Sequence, residues 1–219
     1  MSEGEATGFR RSIETYLRAL REAVGHVVPR VRFFREVYER MTATKELPAP
    51  VRSVLFLCKG NICRSPLAEV YFAHKARKEG QLLTVKSAGI ETTPGKPAHN
   101  HARDVARENG ISLERHTTTP LYHELLQSAD LVFVMEVSQK DRVARLYPQE
   151  RRKVYVLGHF CAEGSLDIDD PYSGQPDDFK QCFERIKESC DRVIDEIIEQ
   201  RRRVGAETNV SSETNVKAG

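Results

Sequence analysis

No apolar run in this 219-residue sequence approaches the ~20 residues a membrane-spanning helix needs. The chain also lacks an excess of either charge. Thirty-four Lys and Arg stand against 32 Asp and Glu, for a net charge of +2, which excludes the basic footprint of a nucleic-acid-binding protein. There are five cysteines, an odd number without even spacing, so a disulfide-stapled secreted scaffold is excluded and a reducing cytoplasm fits better. The opening Met1-Ser2-Glu3-Gly4-Glu5 is acidic and polar, unlike a secretory signal. In a cytoplasmic chain the sequon Asn209-Val210-Ser211 carries no meaning. Tryptophan is absent altogether, so no indole can line a binding site. What remains, 39% hydrophobic and 30% charged, supplies one well-formed core and an accessory segment.

One short stretch organises the rest: Cys58-Lys59-Gly60-Asn61-Ile62-Cys63-Arg64-Ser65. It follows the apolar run Val54-Leu55-Phe56-Leu57, which reads as a buried strand. It precedes Pro66, suited to the first turn of a helix that continues through Leu67-Ala68-Glu69-Val70-Tyr71-Phe72. A strand-to-helix turn aims backbone N–H groups and the positive end of the helix dipole at one point, which suits a dianion such as phosphate. Cys58 opens this loop and Arg64 closes it. A sulfur beneath the phosphorus and a guanidinium on two of its oxygens form a phosphate cradle with a built-in nucleophile. The same field favours thiolate over thiol.

On either side of this stretch the chain divides. Residues 1–50 read as an accessory segment. Apolar residues recur at Ile13, Tyr16, Leu17, Leu20, Val24 and Val27, and after Pro29 at Val31, Phe34, Val37, Tyr38 and Met41. These spacings predict two amphipathic helices ending near Thr42, followed by a Pro-bearing linker. Such stripes cover a neighbouring surface of the same chain or a homodimer interface. From Val51 to Arg203 strands and helices alternate. Strands are expected at 54–57, 82–87, 131–135 and 153–157, and helices at 66–78, 98–109, 120–128 and 138–147, with a last amphipathic helix from Asp177 to about Arg203. The order predicts an α/β domain with a four-stranded parallel sheet, helices on both faces and the phosphate-binding loop after the first strand. The low-complexity tail, 204–219, is expected to be disordered.

The run Leu57-Cys58-Lys59-Gly60-Asn61-Ile62-Cys63-Arg64-Ser65-Pro66-Leu67-Ala68-Glu69 resembles the low-molecular-weight protein tyrosine phosphatases, and the resemblance extends over about residues 51–203. It implies hydrolysis of phosphotyrosine through a phosphocysteine on Cys58. Arg64 and the loop residues Lys59, Gly60, Asn61, Ile62, Cys63 and Ser65 would bind the phosphate. By similarity to the family's Asp-Pro-aromatic signature, Asp170 in Asp170-Pro171-Tyr172 is the general acid, then the base; Asp169 beside it is expected to help keep one proton bound. Alone, such a tripeptide is an ordinary turn. Ser65 would donate to the Cys58 sulfur, and Asn61 is expected in a left-handed conformation. The family's network around this Asn maps onto Ser87 and His116, although His116 by residue type alone is a surface-loop histidine. Cys63 either forms a reversible, protective disulfide with Cys58 or packs under the loop; Cys161, Cys182 and Cys190 read as packing. The implied partner is a phosphotyrosine-bearing protein, with a bacterial tyrosine kinase as one candidate. Neither a cofactor nor a metal is implied.

The sequence departs from the family at Ile90-Glu91-Thr92-Thr93-Pro94-Gly95-Lys96-Pro97, where many members carry an aromatic wall. Tyr172 remains as the other wall, and the pattern is nearest to members from polysaccharide-export operons. Other chemistries on the same fold compete. Arsenate reduction needs relay cysteines, and none lies between Cys63 and Cys161. A phosphoarginine phosphatase is favoured in the family by Thr where this chain has Ile62. A non-catalytic phosphate-binding or redox-sensing module has no need to retain Asp170.

Overall fold

The structure, a computed structural model, describes residues 47–216, with side chains to Val204. The two N-terminal helices expected up to Thr42 lie outside the described residues. Four strands form one parallel sheet in the order β2-β1-β3-β4: β1 Ser53–Cys58, β2 Thr84–Gly89, β3 Leu131–Val134 and β4 Val154–Val156. Five α-helices connect or follow them: α1 Arg64–Lys78, α2 Asn100–Glu108, α3 His123–Gln127, α4 Val137–Leu146 and α5 Pro176–Val216.

The alternation of β1 explains the layering. Val54, Phe56 and Cys58 face one hydrophobic cluster, with Phe72 of α1, Val105 of α2 and Ile186 and Val193 of α5. Leu55 and Leu57 face the other, with Leu126 of α3 and Val143 of α4. Successive strand side chains point to opposite faces, so a strand apolar at every position needs a helical layer on each side. Phe56 is fully buried between the rings of Phe72, edge-on at 5.3 Å, and Phe133, stacked at 5.6 Å. At ~25 cal/mol per Å², aromatic residues burying 150–250 Å² each dominate such a core.

Most boundaries shift by a residue or more from the sequence reading, and three of these shifts have a plain physical cause. The second strand starts at Thr84 rather than Leu82, and Leu82 is 87% exposed: strand pairing with β1 begins only where Ser53 meets Thr84. Helix α1 starts at Arg64, two residues before the expected Pro66; a first-turn proline gives up an N–H that has no intrahelical partner there. The tail expected to be disordered is helical backbone as far as Val216, so α5 passes the expected end near Arg203. No proline interrupts it, and a single Gly205 costs a helix only about 1 kcal/mol.

The long segment between β4 and α5 is packed rather than loose. It opens with a 3-10 turn, Leu157–Phe160, and buries Leu166 and Ile168. A Cβ at Gly158 would sit 2.2 Å from the Leu166 carbonyl oxygen, so this crossing requires glycine. The crossing fixes the path by which the chain returns to the carboxyl end of the sheet.

Candidate active site

The loop between Cys58, the last residue of β1, and Arg64, the first of α1, is held shut from behind by Asn61. That residue is fully buried and has φ +54°, the left-handed conformation Asn tolerates. Its amide Nδ2 donates to Ser65 Oγ at 3.0 Å and to Ser87 Oγ at 2.8 Å. Its Oδ1 accepts from the Thr119 backbone N–H at 2.8 Å, and its carbonyl oxygen lies 2.8 Å from His116 Nε2. Ser87 Oγ donates onward to Glu69 Oε2 at 2.5 Å. Burial raises the pKa of the Glu69 carboxyl, against the opposing pull of the Ser87 hydrogen bond and of His116.

In front of this clamp, Cys58 Sγ lies 3.0 Å from Ser65 Oγ and accepts the Asn61 backbone N–H at 3.2 Å. Ser65 Oγ accepts from Asn61 Nδ2, and of the two acceptors within reach of its own hydrogen the Cys58 sulfur, at 3.0 Å, is nearer than the Ala88 carbonyl oxygen, at 3.5 Å. Cys63 is buried in the same cleft. Its thiol is pushed far up by burial, and after that by the charges of Asp170 and Cys58. Among the described residues all five cysteines are free thiols and all are buried, including Cys161, Cys182 and Cys190. Burial likewise pushes Cys182 up to about 12.

Arg64 is only 1% exposed. Its Nη1 donates to Glu136 Oε1 at 2.6 Å and to the Ile168 carbonyl at 2.9 Å, and its Nη2 donates to Asp170 Oδ2 at 2.6 Å. Its Nε, although buried, has no hydrogen-bond partner. Burial opposes the guanidinium's charge, but Cys58, Asp170 and Glu136 together outweigh it and raise the pKa.

Asp170 arrives on the segment fixed by Gly158. The Ile168 N–H donates to the Met135 carbonyl at 2.8 Å, and Asp167 Oδ1 accepts the Val137 N–H at 2.8 Å, which joins the loop that carries Asp170 to the end of β3 and the start of α4. Pro171 is buried, while Asp169 and Asp170 are both exposed. The charged side chain in contact with the Asp170 carboxylate is Arg64. Tyr172, 57% exposed, stands beside it with its ring edge-on to His99 at 5.8 Å, and the His99 backbone N–H donates to the Ile62 carbonyl at 3.0 Å.

These groups meet in one open cleft. The buried Cys58, Cys63 and Arg64, the half-buried Gly60 and Ile62, and the exposed Lys59, Glu91, Asp170 and Tyr172 line it. Ser65, Ser87 and His116 stand behind the loop. Sequence reasoning missed Glu69, Glu91 and Glu136. Glu91, ion-paired with Arg142, occupies the side where an aromatic wall was missing. A carboxylate just past the end of a central strand was the available signal for Glu136. Among the described residues no group of three or more His, Cys, Asp or Glu is placed to hold a metal ion, and no helix is long and apolar enough to cross a membrane.

Comparison with known proteins agrees with this geometry. The family described as "Low molecular weight phosphotyrosine protein phosphatase" matches residues 53–203. A protein-arginine-phosphatase of Bacillus subtilis (strain 168) is 35% identical over 149 residues, covering 68% of this chain and 99% of the relative. A probable low molecular weight protein-tyrosine-phosphatase, EpsP, of Ralstonia nicotianae is 33% identical over 147 residues, covering 67% and 97%. Among solved structures, the arginine phosphatase YwlE, as a Cys-to-Ser mutant with a phosphorylated active-site serine, superposes with TM-score 0.65 at 34% identity, covering 68% of this chain and 98% of that one. The chain belongs to the low molecular weight phosphotyrosine protein phosphatase family.

Proposed function

We propose that the protein hydrolyses phosphotyrosine on proteins in two steps through Cys58. In the first, the Cys58 sulfur attacks phosphorus and the bond to the tyrosyl oxygen breaks, with Asp170 giving that oxygen its proton. In the second, Asp170 takes a proton from water, the water oxygen attacks phosphorus, and the sulfur leaves with Ser65 Oγ donating to it. Arg64 and the loop N–H groups of residues 59–64 hold the equatorial oxygens, where charge develops. The observation that carries this reading is the convergence of the Cys58 sulfur, the buried Arg64 guanidinium and the Asp170 carboxylate on one cleft. The phosphorylated serine in the YwlE mutant supports a phosphoryl group carried by the residue in the nucleophile's place.

A phosphoarginine substrate is the second reading, favoured by the name of the Bacillus relative. Ile62 speaks against it: an apolar wall complements an aryl ring and offers no hydrogen bond to a guanidinium. The carrier of the phosphotyrosine is proposed to be a protein of the cytoplasm, with a bacterial tyrosine kinase as candidate. The test is turnover of phosphotyrosyl, phosphoarginyl and phosphoseryl peptides by the parent and by Cys58→Ser. The parent is expected to prefer phosphotyrosine, and the variant to bind phosphate without turnover. A Cys58→Ser protein that still turns over would remove the mechanism, and a preference for phosphoarginine would replace the substrate.

A further inference from the structure

We propose that Glu136 is the positioning residue of the phosphate-binding arginine: it decides which edge of the Arg64 guanidinium faces the substrate. The inference rests on the proposed reaction and adds a part to it. A guanidinium has five N–H donors in a rigid fork and can present more than one edge to an oxyanion. Here Nη1 is committed, to Glu136 Oε1 at 2.6 Å and to the Ile168 carbonyl at 2.9 Å. Turning the fork would break both bonds inside a buried site. The edge left for a phosphate is Nε, which has no partner, together with Nη2, which donates to the more exposed Asp170. These two nitrogens give the parallel pair of donors that bidentate recognition of phosphate requires.

Glu136 can set this orientation because it is itself held. Its Oε1 also accepts from Gln139 Nε2 at 2.8 Å, and its Oε2 accepts from Ser138 Oγ at 3.1 Å. Gln139 is buried and fixed at its other end, where its Oε1 accepts the Met135 N–H at 3.0 Å. A chain of bonds thus runs from the backbone just past β3 through Gln139 and Glu136 to Arg64. A side chain that orients a binding group must itself be locked by packing and hydrogen bonds, as Glu136 is.

The experiment is steady-state turnover of an aryl phosphate, with inhibition by inorganic phosphate, for the parent, Glu136→Ala, Glu136→Gln and Gln139→Met, each checked for folding by its melting temperature. Glu136→Ala is expected to lower kcat/KM roughly 10- to 100-fold and to weaken phosphate inhibition in parallel, the scale of loss from a misplaced binding group. Glu136→Gln keeps an oxygen acceptor for Nη1 and should recover most of both. Gln139→Met should fall between the Ala variant and the parent. A residue needed only for folding would lower the melting temperature without moving the phosphate inhibition constant. Folded Glu136→Ala with both constants within about twofold of the parent would overturn the proposal. Should Glu136→Ala not fold, an unchanged inhibition constant in Gln139→Met would overturn it equally. A parent that turns over no aryl phosphate would instead defeat the proposed function itself.

Discussion

The Arg64 guanidinium and the Asp170 carboxylate meet at 2.6 Å, so the group proposed to grip phosphate and the group proposed to move the proton hold each other directly. Their surroundings are unequal. The Arg64 side chain is 1% exposed and anchored at Nη1, whereas that of Asp170 is 39% exposed. Where a phosphate takes the Nη2 hydrogen held by Asp170, the exposed Asp170 gives way rather than Arg64, and substrate binding and release of Asp170 are one exchange.

Asp170→Asn should therefore bind inorganic phosphate more tightly than the parent, because a competing anion is gone. Solvent screening of a half-exposed pair limits the gain to about 1 kcal/mol, or about fivefold. The competitive inhibition constant against an aryl phosphate measures it, and weaker inhibition would contradict the exchange.

Asp170→Ala should lose about 10²–10⁴-fold in kcat on phosphotyrosine, the usual share of general acid catalysis. On an ester with an acidic leaving group, which departs without a proton, the first step should lose much less. Equal losses in the first step, read from pre-steady-state bursts on both esters, would show that Asp170 is not the donor.

Glu69 predicts a pH dependence of stability. Its ordinary pKa is near 4.5, and in the folded protein burial raises it. A carboxyl with a raised folded pKa binds its proton more tightly in the native state. Its contribution is fully present below the unfolded value, near 4.5, and is lost as pH rises through the folded one. Glu69→Gln should flatten the decline above pH 4.5 while leaving an acceptor for Ser87. Urea denaturation at a series of pH values checks it; an unaltered slope would count against a buried, destabilised carboxylate.

Asn61→Ala should cost about 2–3 kcal/mol of stability, since it forces a Cβ residue into the left-handed region and strands buried partners. Thr119 N–H loses its acceptor, and Ser65 and Ser87 lose their donor. Phosphate binding should fall with it, because Asn61 shapes the loop. Denaturant midpoints and the phosphate inhibition constant together test this.

Peroxide converts a thiolate to a sulfenic acid, which a second thiol can capture as a disulfide with loss of water. Parent protein treated with peroxide should regain activity with added thiol, and Cys63→Ser should regain much less. Capture should be slow, because burial keeps the Cys63 thiol protonated. Identical recovery would dismiss a Cys58–Cys63 disulfide.

What the sequence by itself determined is local or periodic. The apolar run of β1, the Cys58-to-Arg64 spacing and Pro66 lie within 14 consecutive residues, and short-range geometry settles what they form. The alternation of apolar runs with helical stripes likewise sets a parallel α/β sheet. Asp170 was readable because a motif names it, and Asn61 because few other residues accept its φ. Glu136 and the Ser87–Glu69 bond were not, nor was the end of α5, where a polar repeat gave no periodic face to read.

Only the tertiary structure decided which carboxylates surround Arg64. Glu136 lies 72 residues away along the chain and Asp170 lies 106 away, and no spacing rule links them. They meet because the strand order sets the carboxyl ends of β1 and β3 side by side, and because Gly158 lets the backbone of Leu166 pass close enough to bring the loop that carries Asp170 back over them. Local chemistry makes the cradle; long-range packing, which no short window of sequence contains, supplies the partners that orient it.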